Sequence, residues 1–241
     1  MFTGIVQGIA SVAALHDRPG LRSFTVAFVP GFCAGLATGA SVAVDGVCLT
    51  VTAVRDGDQA EFDVMLQSLS LTTLAALQAG SRVNVERAAR DGAEIGGHPL
   101  SGHIDFKARV AEVRRPENNQ VLRIAVPAPW MRYVFAKGYI AVNGASLTVA
   151  EAERRPDGSG WFEVWLIPET LRMTTFGAKA EGVELNIEIE RSTQVFVDTV
   201  RDAIAERLGA LQPAIEALLR ERGLSLDELT RPAALPPAER H

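Results

Sequence analysis

The sequence predicts an all-β fold: two homologous closed β-barrels of about six short strands each, in tandem, plus a C-terminal α-helix. Three observations predict it. First, Val44-Asp45-Gly46-Val47-Cys48-Leu49-Thr50-Val51 recurs 98 residues later as Val142-Asn143-Gly144-Ala145-Ser146-Leu147-Thr148-Val149. Second, further matches follow in register, with the spacing growing from 98 to 102 at one turn, Arg155-Pro156-Asp157-Gly158-Ser159-Gly160. Third, from Ser192 the apolar period changes to steps of three and four, the helical spacing.

Taken in order, residues 1–15 are a strand bent by Gly4 and Gly8, and Asp17-Arg18-Pro19-Gly20 is a turn. Leu21 to Pro30 returns as a strand, and a small-residue connection with Cys33 leads to the hairpin at 41–53. Asp-Gly and Asn-Gly supply the positive φ that a two-residue hairpin turn requires. After the turn at 56–59 comes a strand over 60–66, then a short helix over 68–77 that Ser68 would cap. A strand over 82–88 ends the first copy. Leu100-Ser101-Gly102-His103-Ile104 restarts it, matching Phe2-Thr3-Gly4-Ile5-Val6. Thr72-Thr73-Leu74 matches Thr174-Thr175-Phe176, and Val83-Asn84-Val85-Glu86 matches Leu185-Asn186-Ile187-Glu188.

These matches set domains at 1–97 and 98–191, a helical segment at 192–223 and a tail at 224–241. Val197, Val200, Ile204, Leu208 and Leu211 form the helical stripe, which would cover its own barrel or pack on copies of itself. Pro213 would start a second helical segment running to Arg222. Ser225-Leu226-Asp227-Glu228 is a capping signal, and the Pro- and Ala-rich end is expected to be partly disordered.

Composition narrows the function. The chain has 241 residues and a net charge of −5, so no general attraction to nucleic acid or an anionic membrane surface is implied. No apolar run approaches the roughly 20 residues of a membrane helix. The N-terminus lacks the basic segment of a secretory signal. Cys33 and Cys48 are too few for a disulfide framework and have no companions at metal spacing, so a cytoplasmic protein without a metal is expected. Cys33 is expected in the core, and His16 and His241 in solvent.

Several stretches resemble the riboflavin synthase family of trimeric, two-barrel proteins. They are Met1-Phe2-Thr3-Gly4-Ile5-Val6-Gln7-Gly8, Gly96-Gly97-His98 with Ser101-Gly102-His103, Ser146-Leu147-Thr148-Val149, and Ile167-Pro168-Glu169-Thr170-Leu171. The resemblance covers 1 to about 205. It implies a six-stranded barrel in each half and a homotrimer held by the C-terminal helix. The implied reaction is dismutation of two 6,7-dimethyl-8-ribityllumazine molecules to riboflavin and 5-amino-6-ribitylamino-uracil, without cofactor or metal. Two related pockets suit it, because donor and acceptor are the same molecule and their juxtaposition makes the step effectively unimolecular. Lumazine synthase is a conceivable partner of the long tail.

The resemblance also implies site residues. Cys48, His103, Ser41, Ser146, Thr148 and Glu190 form the catalytic set. Substrate contacts come from Gly4, Ile5 and Val6; from Cys48, Leu49 and Thr50; and from Asp63, Val64, Met65, Leu66, Gln67 and Ser68. They continue with Gly102, His103 and Ile104, Lys137, and Ser146, Leu147 and Thr148. Trp165, Leu166, Ile167, Pro168, Glu169 and Thr170 complete them. Three positions depart from the family pattern. Gln67-Ser68 stands where the first barrel usually has Glu-Thr, Ser70 replaces a commonly basic residue, and Glu190 stands for Asp.

Residue chemistry adds an expectation. A thiol is the better nucleophile, whereas a hydroxyl needs an adjacent base. Cys48 is therefore expected to serve covalent or proton-transfer steps at one lumazine, and Ser146 and Thr148 to orient the other. His103 stands where the first copy has Ile5, and an apolar residue would have sufficed there for folding. It is expected to carry protons between the two lumazines. His98 in the linker is a weaker candidate. A non-catalytic lumazine or flavin binder of the same fold is the alternative, disfavoured by the presence of Cys48, His103, Ser146 and Thr148. A flavin-reductase-like double barrel would need a nucleotide-binding domain for which the tail is too short.

Overall fold

The computed structural model describes residues 1–222. One compact unit spans 1–194, and a second begins at Val195. No described helix is long and apolar enough to cross a membrane. The capping signal at 225–228 and the Pro- and Ala-rich end lie outside the described residues.

In the first repeat β1 (Gly8–Arg18), β2 (Leu21–Ala27), β3 (Ser41–Val44), β4 (Val47–Arg55), β5 (Gln59–Met65) and β6 (Arg82–Arg87) close a barrel in the order β1-β2-β5-β4-β3-β6. Alternation builds its core. Val47, Leu49 and Val51 of β4 point inward with Phe24, Phe62 and Leu74, while Cys48 and Thr50 face outward. Residues 1–7 are not part of β1; Phe2 instead bridges to Leu100. Ser68 does not cap the helix, because α1 (Leu66–Leu71) starts two residues before it and a 3-10 turn at Thr73–Ala76 follows. Its carbonyl instead accepts from Thr72 N–H and Oγ1.

The second repeat has β7 (Phe106–Arg114), β8 (Gln120–Val126), α2 (Ala128–Met131), β9 (Tyr139–Val142), β10 (Ala145–Thr148), β11 (Glu151–Arg154), β12 (Gly160–Leu166), α3 (Pro168–Met173) and β13 (Glu184–Ile189). Its strands run β10-β9-β13-β7-β8-β12-β11. This is the first barrel's order, with the equivalent of β4 divided into β10 and β11. The two ends of this sheet are therefore joined by only Val149 and Ala150. Val149 N–H donates to Gly138 O at 2.9 Å and Ala150 N–H to Glu163 O at 2.8 Å, on opposite neighbours. In β4 the same place carries a register shift between Val51 and Ala53. A bulge that bends one barrel corner interrupts the ladder at the other.

The organising hairpins meet back to back. Asp45-Gly46 has φ of 45° and 81°, and Asn143-Gly144 has 43° and 79°, as a primed two-residue turn needs. A Cβ on Gly46 would lie 2.6 Å from Gly144 N, and one on Gly144 would lie 2.9 Å from Gly46 Cα. Only glycine permits this approach. Around it runs a reciprocal network. Asn84 Nδ2 donates to Asn143 O (3.0 Å), and Asn186 Nδ2 donates to Asp45 O (2.9 Å). Asn84 N–H donates to Asp45 Oδ1 (2.8 Å), and Asn186 N–H to Asn143 Oδ1 (2.7 Å). Asn84 Oδ1 accepts from Thr175 N–H, and Asn186 Oδ1 from Thr73 N–H, both at 2.8 Å. Asp45, Asn143 and the two asparagines each have partners here, and losing one would leave another unsatisfied at roughly 1–3 kcal/mol; the hydroxyls of Thr73 and Thr175 are buried beside them without one among the described residues.

A long helix, α4 (Arg191–Glu221), follows. It runs through Pro213, which sits inside one continuous helix and does not start a second segment. Pro213 lacks an N–H for the bond to the Gly209 carbonyl, so the helix passes it with one hydrogen bond fewer. Val200, Ile204, Leu208, Leu211, Ile215 and Leu218 leave an exposed apolar stripe.

Candidate functional site

The site grows from the outer faces of the two hairpins. Ser146 and Thr148 face outward on β10 as Cys48 and Thr50 do on β4, while Leu147 and Leu49 fill the cores. Any ligand they meet lies outside the barrels.

Each hairpin is completed by the leading segment of the other repeat. Ser146 N–H donates to Gly4 O at 2.8 Å, and Cys48 N–H donates to Gly102 O at 2.9 Å. Phe2 and Leu100 exchange both backbone bonds, at 2.8 and 3.0 Å. A Cβ on Gly4 would stand 2.5 Å from Ser146 Cβ, and one on Gly102 2.6 Å from Cys48 Cβ, both at positive φ. Buried carboxylates clamp these segments. Glu86 accepts from Thr3 N–H (2.6 Å), Thr3 Oγ1 (2.7 Å) and Gly4 N–H (3.1 Å). Glu188 accepts from Ser101 N–H and Oγ (both 2.7 Å) and Gly102 N–H (3.0 Å). Burial pushes both carboxyls upward against these donors.

Here the two sides diverge. Beside Ser146 the linker places His98, 3% exposed, with Nδ1 2.6 Å from Ser146 Oγ. Burial pushes this imidazole below the ordinary histidine range, opposed by the charge of Glu190. It is neutral near pH 7 and suited to accept a proton. Tyr139 stacks on it at 5.5 Å between ring centroids. Glu190 is held ionised chiefly by the Thr193 hydroxyl, which donates at 2.7 Å, and its acidity is further favoured by His98. Gly4, Ile5, Val6, Ser146, Glu169 and Thr170 are among the walls of an adjoining cavity of about 300 Å³. Glu169 is engaged by Arg172, whose Nε donates at 2.9 Å.

Among the described residues the Cys48 thiol has no hydrogen-bonded histidine; it packs against the cluster of Phe2, Ala43, Leu100 and Ala141. His103 follows Gly102 on this side, exposed, its N–H donating to Ser101 Oγ at 3.1 Å. Ile104 packs against the first barrel's core. Gln67 and Ser68 lie on α1, where the second repeat has Glu169 and Thr170 on α3.

The other expected residues are placed as follows. Leu49, Val64, Leu147 and Leu166 are buried, leaving only backbone for a ligand. Met65, Leu66, Trp165, Ile167 and Pro168 are exposed at the strand-to-helix corners. Asp63 accepts from Ser23 Oγ at 2.6 Å. Ser41 pairs across the hairpin with Thr50. Lys137 is exposed in a left-handed turn, its N–H donating to Val149 O at 2.7 Å. Cys33 packs on the first core as expected, and burial pushes its thiol up. Sequence reasoning missed Tyr139, the counterpart of Ser41 at the 98-residue spacing, and Met173 and Thr174 of the cavity wall. The 98-residue spacing carries the Ser41–Tyr139 change and is the signal that could have found it.

The lumazine binding domain model matches 3–88 and 101–190, one match per repeat. The chain is 45% identical to the riboflavin synthase of Escherichia coli (strain K12) over 219 residues, covering 90% of this chain and all of that one. The chain belongs to the riboflavin synthase family. It is 40% identical to the riboflavin synthase of Chlamydia pneumoniae, over 85% of this chain and 98% of that one. With that of Mycobacterium bovis it shares 42% identity, over 79% of this chain and 93% of that one. Among solved structures, LumP complexed with riboflavin superposes with a TM-score of 0.69 at 25% identity, over 79% of this chain and all of that one. Family membership thus covers both repeats and both hairpins.

Proposed function

We propose that this protein is an enzyme that dismutates two 6,7-dimethyl-8-ribityllumazine molecules, giving riboflavin and 5-amino-6-ribitylamino-uracil. The observation that carries this reading is the 45% identity across the whole length of the Escherichia coli riboflavin synthase. One lumazine gives four carbons to the other, so atoms and electrons balance without an external oxidant or reductant. Removal of a C7-methyl proton starts the exchange, and a base poised near neutral pH is needed for it. We assign that base system to Ser146 and His98. A neutral, buried imidazole 2.6 Å from the hydroxyl can take its proton, and Glu190 favours the resulting imidazolium. A hydroxyl needs an adjacent base to act, and Ser146 has His98 beside it. Cys48, Thr50, Gln67 and Ser68, with His103, would hold the second lumazine. Glu169 and Thr170 suit the ribityl hydroxyls of the first.

The two sites of one chain belong to separate hairpins, which supports a homotrimer in which one repeat faces its counterpart on a neighbour. The stripe Val200, Ile204, Leu208 and Leu211 on α4 suits that assembly. Ile204→Asp is expected to shift sedimentation to the single chain, and an unchanged oligomer would remove α4 from this role. The free Cys33 and Cys48 fit a cytoplasmic setting.

The deciding test is incubation with the lumazine, separation of products and detection of riboflavin. Lumazine binding without riboflavin formation would make the protein a binder, as LumP structures with flavin and lumazine ligands illustrate.

A further inference from the structure

A second cavity, about 510 Å³, opens where residues 72–82 of the first repeat meet β7 and residues 179–184 of the second. It shares no lining residue with the cavity beside Ser146. Four cations line it: Arg82, Lys107, Arg109 and Lys179. The acids there are Glu184, paired with Arg109 at 3.5 Å, and the buried Asp45. Four cations against two carboxylates leave an excess of two positive charges, in a chain whose net charge is −5.

The repeat provides an internal control. At the 98-residue spacing Lys107 and Arg109 correspond to Ile9 and Ser11, and at the 102-residue spacing Lys179 corresponds to Leu77. The same strand and turn therefore fold in the first repeat without any of these charges. Lys107 and Lys179 are half-buried and, with Arg82 and Arg109, line this one cavity. Gathered like charges repel, and they are relieved by a counter-anion.

We propose that this cavity binds a small phosphomonoester. A phosphoryl dianion matches the excess of two positive charges, and Arg and Lys are its usual partners. The cavity lies within the size range of small-molecule sites and exceeds what a lone phosphate would fill. Ala75, Ala76, Leu77 and Val183 supply apolar wall for the remainder of the ligand.

Calorimetric titration of the full chain with adenosine monophosphate, adenosine and inorganic phosphate tests this. The nucleotide is expected to bind once per chain, and phosphate more weakly. Adenosine is expected not to bind. Lys107→Ile with Arg109→Ser and Lys179→Leu installs the first repeat's residues and should weaken the nucleotide at least about tenfold. Arg82→Ala alone, at an exposed position, should weaken it in the same direction and guards against a misfolded triple variant. Binding should persist under saturating lumazine. The site is overturned if the nucleotide gives no heat at millimolar concentration, if adenosine binds equally, if lumazine displaces the nucleotide, or if the variants bind it as the parent does.

Discussion

Two hairpins of one ancestry carry different chemistry. Beside Cys48 stands Gly102, followed along the chain by the exposed His103, and α1 of the same repeat carries an uncharged pair, Gln67 and Ser68. Around Ser146 stand Gly4, the buried His98, Tyr139, Glu190 and the Glu169–Arg172 pair. The backbone frames at the two turns correspond, down to Cys48 N–H on Gly102 O and Ser146 N–H on Gly4 O. The difference lies in what the linker and the second repeat's helices add. A duplicated scaffold can therefore bind two copies of one molecule alike and treat them differently. The hydroxyl, the weaker nucleophile of the two, is the one with an imidazole at hydrogen-bond distance, the opposite of what thiol and hydroxyl reactivity alone would suggest.

The sharpest way to break this comparison is at the base. Ser146→Ala and His98→Ala should each lower turnover on the order of a hundredfold or more. Cys48→Ser, on the side without a base, should lower it less. Steady-state rates with directly measured lumazine affinity decide it; a larger loss for Cys48→Ser would return the chemistry to the thiol. Turnover should also fall as pH drops below the ordinary histidine range, where His98 becomes charged. Because burial lowers its pKa, activity should hold to a lower pH than a free imidazole would allow.

Gly46→Ala tests whether the halves share one axis. Its Cβ would meet Gly144 N at 2.6 Å at a φ of 81°, so a loss on the order of 3 kcal/mol is expected in denaturant unfolding. An unchanged midpoint would mean that the turns part readily.

Asp45 and Asn143 sharpen the comparison at the same turns. Both side chains accept from the partner asparagine's N–H, but burial pushes the Asp45 carboxyl up to about 6. A carboxyl raised on folding supports the native state below its unfolded pKa, and that support is lost as pH rises through about 6. Asp45→Asn should therefore stabilise the protein near pH 7.5 by up to about 3 kcal/mol and change little near pH 4. Thermal melts at both pH values give the answer, and equal shifts at both would refute the assignment.

The smallest effect is expected from Gln67→Glu with Ser70→Arg, which copies the Glu169–Arg172 pair into the first repeat. Lumazine affinity should change only a few-fold, as exposed ion pairs contribute little. A large change would mean that this segment dominates ribityl binding.

Sequence alone determined the duplication, the succession of strands along the chain and the turn chemistry. Spacing, β alternation and Asp-Gly or Asn-Gly are local properties that survive without neighbours. It also marked Ser146, Cys48 and His103, and the helical stripe of α4. It missed the continuous helix through Pro213, since a helix carried by its remaining hydrogen bonds can override one local breaker. It ranked His98 below His103 and missed Tyr139, because nothing in the spacing of 98, 139 and 146 brings these residues together. Tertiary structure alone decided that. Phe2 pairing with Leu100 crosses the leading segments between repeats, lays the linker over the second hairpin and buries His98 at 3% exposure. Burial then keeps the imidazole neutral beside a hydroxyl, a property of surroundings that no run of residues carries by itself.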